Sequence, residues 1–169
     1  ADRHYTGFDE IATGPYFRDD DRIATAGSCF AQHIGNRLRR RGLGYIDLEP
    51  APKGLNIPQA RRHGYGLFSC RYGNIYTVRQ LLQLAREAFG RRKPVDAIWS
   101  KEGRFYDALR PGLDPIGHAS PEDVILLRQQ HLARVRQLFT EMTLFVFTFG
   151  LTEAWESNTD GTVYPTAPG

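Results

Sequence analysis

The chain has 169 residues, and 22 Lys and Arg stand against 19 Asp and Glu for a formal net charge of +3. That length suits one domain around one core, spanning residues 1–169, and no apolar run approaches the roughly 20 residues that cross a bilayer. The two cysteines, Cys29 and Cys70, fit no metal-ligand spacing, and the amino terminus lacks the layout of a signal peptide, so the expectation is a cytoplasmic protein with free thiols.

Arginine supplies most of the positive charge, in clusters at Arg39–Arg41, Arg61–Arg62 and Arg91–Arg92. The first and third fall where helices are expected to end, and the helix dipole favours cations there. No nucleic-acid motif with interleaved aromatics accompanies them. Neither nucleic acid nor a membrane is expected as a partner, and the composition does not set an oligomeric state.

The first twenty residues, punctuated by Gly7, Gly14 and Pro15, read as irregular. "RIATAG" (22–27) then reads as a short buried strand. From Phe30 the apolar positions Phe30, Ile34 and Leu38 recur at helical spacing, and Gly42 and Gly44 end that helix. "YIDLE" (45–49) reads as a second short strand, and Arg61 to Asn74 as loop.

Thr77 caps a helix whose apolar face is Val78, Leu81, Leu82, Ala85 and Phe89, stopped by Gly90. "AIWSKEGRFYDAL" reads as a hairpin turning at Lys101–Glu102–Gly103. The best-defined helix begins at Ser120, with Pro121 at its first position and Asp123 completing a capping pattern. Its expected buried face is Val124, Leu127, His131, Val135, Leu138 and Met142. "LFVFTFG" (144–150) is apolar almost throughout, the pattern of a strand buried on both faces. A last hairpin is expected to turn near Asp160–Gly161.

Strand, helix, helix, strand with apolar strands predicts an α/β three-layer sandwich with a mostly parallel sheet. Such sheets bind ligands outside the carboxyl ends of their strands. Gly27-Ser28-Cys29 and Gly150-Leu151-Thr152-Glu153 both fall at such ends and are expected to meet along one edge.

Ser28, between strand and helix, presents a hydroxyl where helix N–H groups favour an anion. Acyl transfer needs that arrangement, because its tetrahedral intermediate carries an oxyanion, and the serine needs a base. The plainer reading of Ser28 is an N-cap. Cys29 is an alternative nucleophile, since a helix N-terminus favours thiolate. A Cys-x5-Arg phosphatase pattern fails, with Gly35 and Tyr76 where arginine is required. No phosphate-binding glycine loop is present. The histidines His4, His33, His63, His118 and His131 show no metal spacing, so neither metal nor organic cofactor is expected. His131, on an apolar helix face, reads as a core histidine.

Four ordered segments, "GSCFA" (27–31), "RYGNIYT" (71–77), "FTFGLTEAW" (147–155) and "DGTVYPTAPG" (160–169), resemble the GSCFA domain family, a branch similar to the SGNH or GDSL-type hydrolases. The resemblance implies a flavodoxin-like fold with Ser28 in the nucleophile position. It also implies that the N–H groups of Ser28 and Gly73, with Asn74 or Thr152, form the oxyanion hole. Thr152 stands in the superfamily's asparagine slot, and Glu153 orients that loop or binds substrate. The Asp-x-x-His block that carries the superfamily's base does not occur before Gly169. The expectation is therefore an N-terminal fragment whose base lies further on. The implied activity is that of a serine hydrolase or acyltransferase on an O-acyl ester, such as one carried by a carbohydrate. The alternative is a catalytically silent module that binds carbohydrate or protein.

Overall fold

A computed structural model describes residues 18–167. The irregular reading of the amino terminus and His4 therefore lie outside the described residues, except for Arg18 to Asp20, which form an exposed turn. In chain order the elements are β1 (Ile23–Gly27), α1 (Cys29–Arg41), α2 (Ile57–Arg62), α3 (Val78–Ala88), β2 (Ile98–Lys101), β3 (Arg104–Asp107), α4 (Pro121–Glu141), β4 (Leu144–Thr148), β5 (Trp155–Glu156) and β6 (Val163–Tyr164).

The chain is an α/β protein whose central feature is a parallel pair, β1 beside β4, in register from Ile23↔Leu144 to Gly27↔Thr148. Ala24 and Ala26 of β1 join Ala31 of α1, Phe68, Tyr72 and Ile75, and Val135 and Leu138 of α4 in one buried core. Small residues on β1 and α1 let the helix lie close. A Cβ on Gly35 would stand 3.0 Å from the Tyr45 ring and 3.1 Å from Thr25 Oγ1.

The expected second strand at 45–49 shrinks to one parallel bridge, Ile23↔Tyr45. Ser69 is the cause: its hydroxyl accepts from Thr25 N–H at 2.9 Å, and its carbonyl accepts from Leu48 N–H at 2.9 Å. That insertion separates the 45–49 segment from β1 after one bridge. β4 is half-buried along its whole length, not buried on both faces. It pairs with β1 on one edge, and no other strand among the described residues covers the second edge.

α1 buries Ala31, Gly35 and Leu38, and Phe30, expected on that face, is 64% exposed. α3 departs further from expectation. Val78, Leu82 and Phe89 are exposed, whereas Gln80, Gln83 and Glu87 are buried. Each buried polar group has a partner that lies elsewhere or caps the helix. Gln80 Oε1 accepts from Tyr76 and Thr77 N–H, Gln83 brackets Val163 through its N–H and C=O, and Glu87 pairs with Arg128. Buried polar groups are tolerated when so paired.

α4 follows its sequence pattern. Ser120 Oγ accepts from Asp123 N–H at 3.2 Å, and Val124, His131, Val135 and Leu138 are buried, joined by Arg128. The β2–β3 hairpin turns through Glu102 and Gly103, with φ of 50° and 72°. Two positive values in a two-residue loop match the twist of the flanking strands. β5 and β6 form the expected last hairpin, with Trp155 opposite Tyr164. Helix α2, capped reciprocally by Asn56 and Gln59 with Pro58 in its first turn, was not expected, and it takes Arg61 and Arg62 out of the segment read as loop. No helix among the described residues is long and apolar enough to cross a membrane.

Candidate functional site

Parallel pairing of β1 with β4 brings their carboxyl ends side by side, and Ser28 and Thr148 meet there. Ser28 Oγ lies 3.1 Å from Thr148 Oγ1. Ser28 N–H donates to Thr148 O at 3.2 Å and to Thr148 Oγ1 at 3.1 Å. The same Oγ accepts from Phe30 N–H at 3.4 Å, as the N-cap of α1. Gly27 makes the approach feasible: its φ is +131°, and a Cβ there would stand 2.3 Å from Thr148 O.

Two further loops close on this point. Ile75 N–H donates to Gly27 O at 2.9 Å, and Gly150 N–H donates to Tyr76 O at 3.1 Å. A Cβ on Gly150 would stand 3.1 Å from Ser28 Cβ and 2.6 Å from the Tyr76 ring. The segments at 27–31, 71–77 and 147–155 thus converge at one strand end, where an α/β sheet places its ligands.

The 71–77 loop is held from several sides. Arg71 N–H donates to Glu49 at 2.6 Å, and the Arg71 guanidinium reaches Asp114 at 2.9 Å and His63 O at 2.7 Å. Arg110 donates to Arg71 O at 2.9 Å, and the Tyr72 hydroxyl donates to Thr25 O. Gly73 has φ of 71°, a conformation open to glycine. Asn74 Nδ2 donates to the Tyr76 hydroxyl at 2.9 Å.

Ser28 is half-buried, and Cys29 is exposed rather than packed beneath the helix it begins. No hydrogen bond among the described residues joins Ser28 to Gly73, Asn74, Thr152 or Glu153. Thr152 and Glu153 are exposed. Glu153 lines an outer cleft of about 460 Å³ with Tyr76, Leu151, Trp155, Tyr164 and Pro165. Gly73 and Asn74 line a second one, of about 250 Å³, with Gln32, Tyr72, Tyr76 and Leu113. Tyr76 and Pro165 border both. Thr148 and Tyr76 escaped the sequence reading. The polar residue breaking the apolar run of "LFVFTFG" is the signal that marks Thr148.

Several titratable groups with perturbed pKa values sit behind the site. His131 Nδ1 lies 2.7 Å from Glu49; burial first, and then Arg110, lower its pKa to about 4. Neutral His131 therefore donates to an ionised Glu49. Burial opposes the Asp107 charge, but Arg128 and Arg110 outweigh it and hold that carboxyl low. For Glu87 burial wins over Arg128, and its pKa is raised. Burial also pushes the Cys70 thiol well up, leaving it unreactive. His63 and His118 face Asp114 at 3.8 and 3.4 Å, and no histidine among the described residues hydrogen-bonds Ser28. Among those residues no group of three or more His, Cys, Asp or Glu is placed to hold a metal.

No curated protein and no solved structure matches the chain. A family model does, over residues 22–169, and it begins just before β1 and contains all three converging segments. The chain belongs to the GSCFA family.

Proposed function

We propose that this domain carries the nucleophile of an SGNH-type hydrolase or acyltransferase acting on O-acyl esters, including those of carbohydrates, with Ser28 as the attacking residue. The observation that supports it is the convergence of three loops on Ser28 at the paired ends of β1 and β4. In this reading Ser28 Oγ attacks the acyl carbon while its proton passes to a base. The carbonyl oxygen becomes an oxyanion, collapse expels the alcohol with a proton, and water or another alcohol then takes the acyl group. The resemblance assigns the oxyanion to Gly73 N–H and Asn74, whose Nδ2 keeps one hydrogen beyond the one given to Tyr76, helped by the N-terminus of α1. The Ser28 N–H is the less suitable donor, because Thr148 already accepts it. The superfamily pattern assigns the base to a histidine, and none among the described residues hydrogen-bonds Ser28. Hydrolysis of 4-nitrophenyl acetate by the protein should fall to the uncatalysed rate in Ser28→Ala. Unchanged turnover would overturn the reading.

A second reading, a binding module that retains this fold, draws on one observation. Ser28 Oγ is engaged by Thr148 Oγ1 and Phe30 N–H, as a purely structural cap would be. Equal turnover at background in wild type and Ser28→Ala, with carbohydrate binding intact, would favour it.

A further inference from the structure

Two buried acceptors of this molecule border the same small cavity. Asn74 Oδ1 and Glu87 Oε1 are both shut off from solvent and find no hydrogen-bond donor among the described residues. Both residues line a small, partly open space of about 30 Å³ between α3, α4 and the 72–75 segment. Its wall is about half polar, with Gln80, Arg110, Arg128 and His131 beside the apolar Leu84 and Leu109. Buried acceptors are rarely left without a donor, and a polar cavity needs only about 10–15 Å³ to admit a water molecule. Room, polarity and two unmatched acceptors therefore coincide.

We propose that this cavity holds an ordered water that donates one hydrogen to Asn74 Oδ1 and the other to Glu87 Oε1, making Glu87 a positioning residue for the Asn74 amide. An ionised carboxylate only accepts, so Glu87 orients the water. The water's second hydrogen then holds Asn74 with Oδ1 inward and Nδ2 toward the Tyr76 hydroxyl, where the 2.9 Å bond is found. Glu87 itself is anchored by Arg128, which also reaches Asp107 at 2.8 Å. A buried charged cluster thus sets the direction of an amide at the rim of the site.

A high-resolution crystal structure of the protein tests the first half. One water within about 2.5–3.0 Å of both oxygens is expected. An empty cavity, or a direct Asn74–Glu87 contact, overturns the proposal. The second half is read from the Asn74 side-chain amide signals in ¹H–¹⁵N spectra, assigned by their loss in Asn74→Ala. Glu87→Gln should keep the water and leave those signals near their wild-type positions. Glu87→Met, in which Arg128 keeps Asp107, should displace the water and shift them. Signals indifferent to Glu87→Met would show that Glu87 merely pairs with Arg128. Should Glu87→Met not fold, the crystal structures of wild type and Glu87→Gln decide alone. All of these readouts are independent of whether Ser28 reacts.

Discussion

Ser28 and Thr148 form a reciprocal pair across the ends of β1 and β4: the two hydroxyls lie 3.1 Å apart, and the Ser28 N–H reaches the same threonine oxygen at 3.1 Å. The side chain that holds the candidate nucleophile in place therefore comes from a strand 120 residues away. Thr148→Val removes the hydroxyl while keeping the shape. It is expected to cost about 1–2 kcal/mol, the usual penalty for unmatching a partly buried hydrogen bond. Thr148→Ser should restore most of it in urea denaturation. A valine variant as stable as the serine variant would show that the pair contributes nothing.

Gly27 lets the two strand ends approach. Its φ of +131° and the 2.3 Å separation between a built Cβ and Thr148 O both oppose a side chain. Backbone strain and overpacking each cost about 1–3 kcal/mol, so Gly27→Ala should lose several kcal/mol or fail to fold. Gly42, at φ 67° with open space around it, serves as the control. Its alanine variant should lose only about 1–2 kcal/mol. Thermal melts of the two variants side by side provide the comparison.

His131 predicts a pH dependence with a definite sign. Its folded pKa of about 4 lies below the ordinary value of 6.5. Between those values the unfolded chain binds the proton and the folded chain does not. Stability from this group is therefore fully present above about pH 6.5 and lost as pH falls toward 4. The full span corresponds to an order of 3 kcal/mol. His131→Gln keeps an N–H for Glu49, and the difference between wild type and variant should grow with pH across that window and then level off. A difference independent of pH would contradict the neutral buried histidine.

Ion pairs in this chain should divide sharply by depth. Asp107 is 5% exposed and accepts from Arg110 at 2.7 Å, Arg128 at 2.8 Å and Leu109 N–H at 3.0 Å. Asp107→Asn leaves two buried guanidinium groups short of a counter-charge, and a loss of about 3–5 kcal/mol is expected. The pair of Arg79 with Glu156 is equally short, at 2.5 and 2.7 Å, but lies at the surface. Arg79→Ala should be indistinguishable from wild type in the same denaturation series.

The site was readable from sequence wherever the signal was local. Glycine followed by a capping serine at the end of an apolar run marks Ser28, and Ser120-Pro121 marks α4, because caps and turns act over three or four residues. What depended on distant partners was not readable. α3 buries Gln80, Gln83 and Glu87 because Val163 and Arg128 wait for the last two, and no periodicity in "VRQLLQLAREA" reports those partners. The apolar residues of that helix consequently misled. Thr148 became part of the site through the Gly27↔Thr148 register, a long-range fact. The strand expected at 45–49 was cut to one bridge by the insertion of Ser69. Three of the segments that carry the family resemblance meet at the ends of β1 and β4, with Thr148 and Tyr76 between them.

Ser28, and not Cys29, is the residue proposed to react at this strand end. The direct measurement is covalent labelling of the full-length protein by a fluorophosphonate, beside Ser28→Ala and Cys29→Ala, with adduct mass located by peptide mapping. One phosphonyl group on Ser28 is expected, retained in Cys29→Ala and absent in Ser28→Ala. A folded wild type that takes no label, or a label that survives Ser28→Ala, would contradict it.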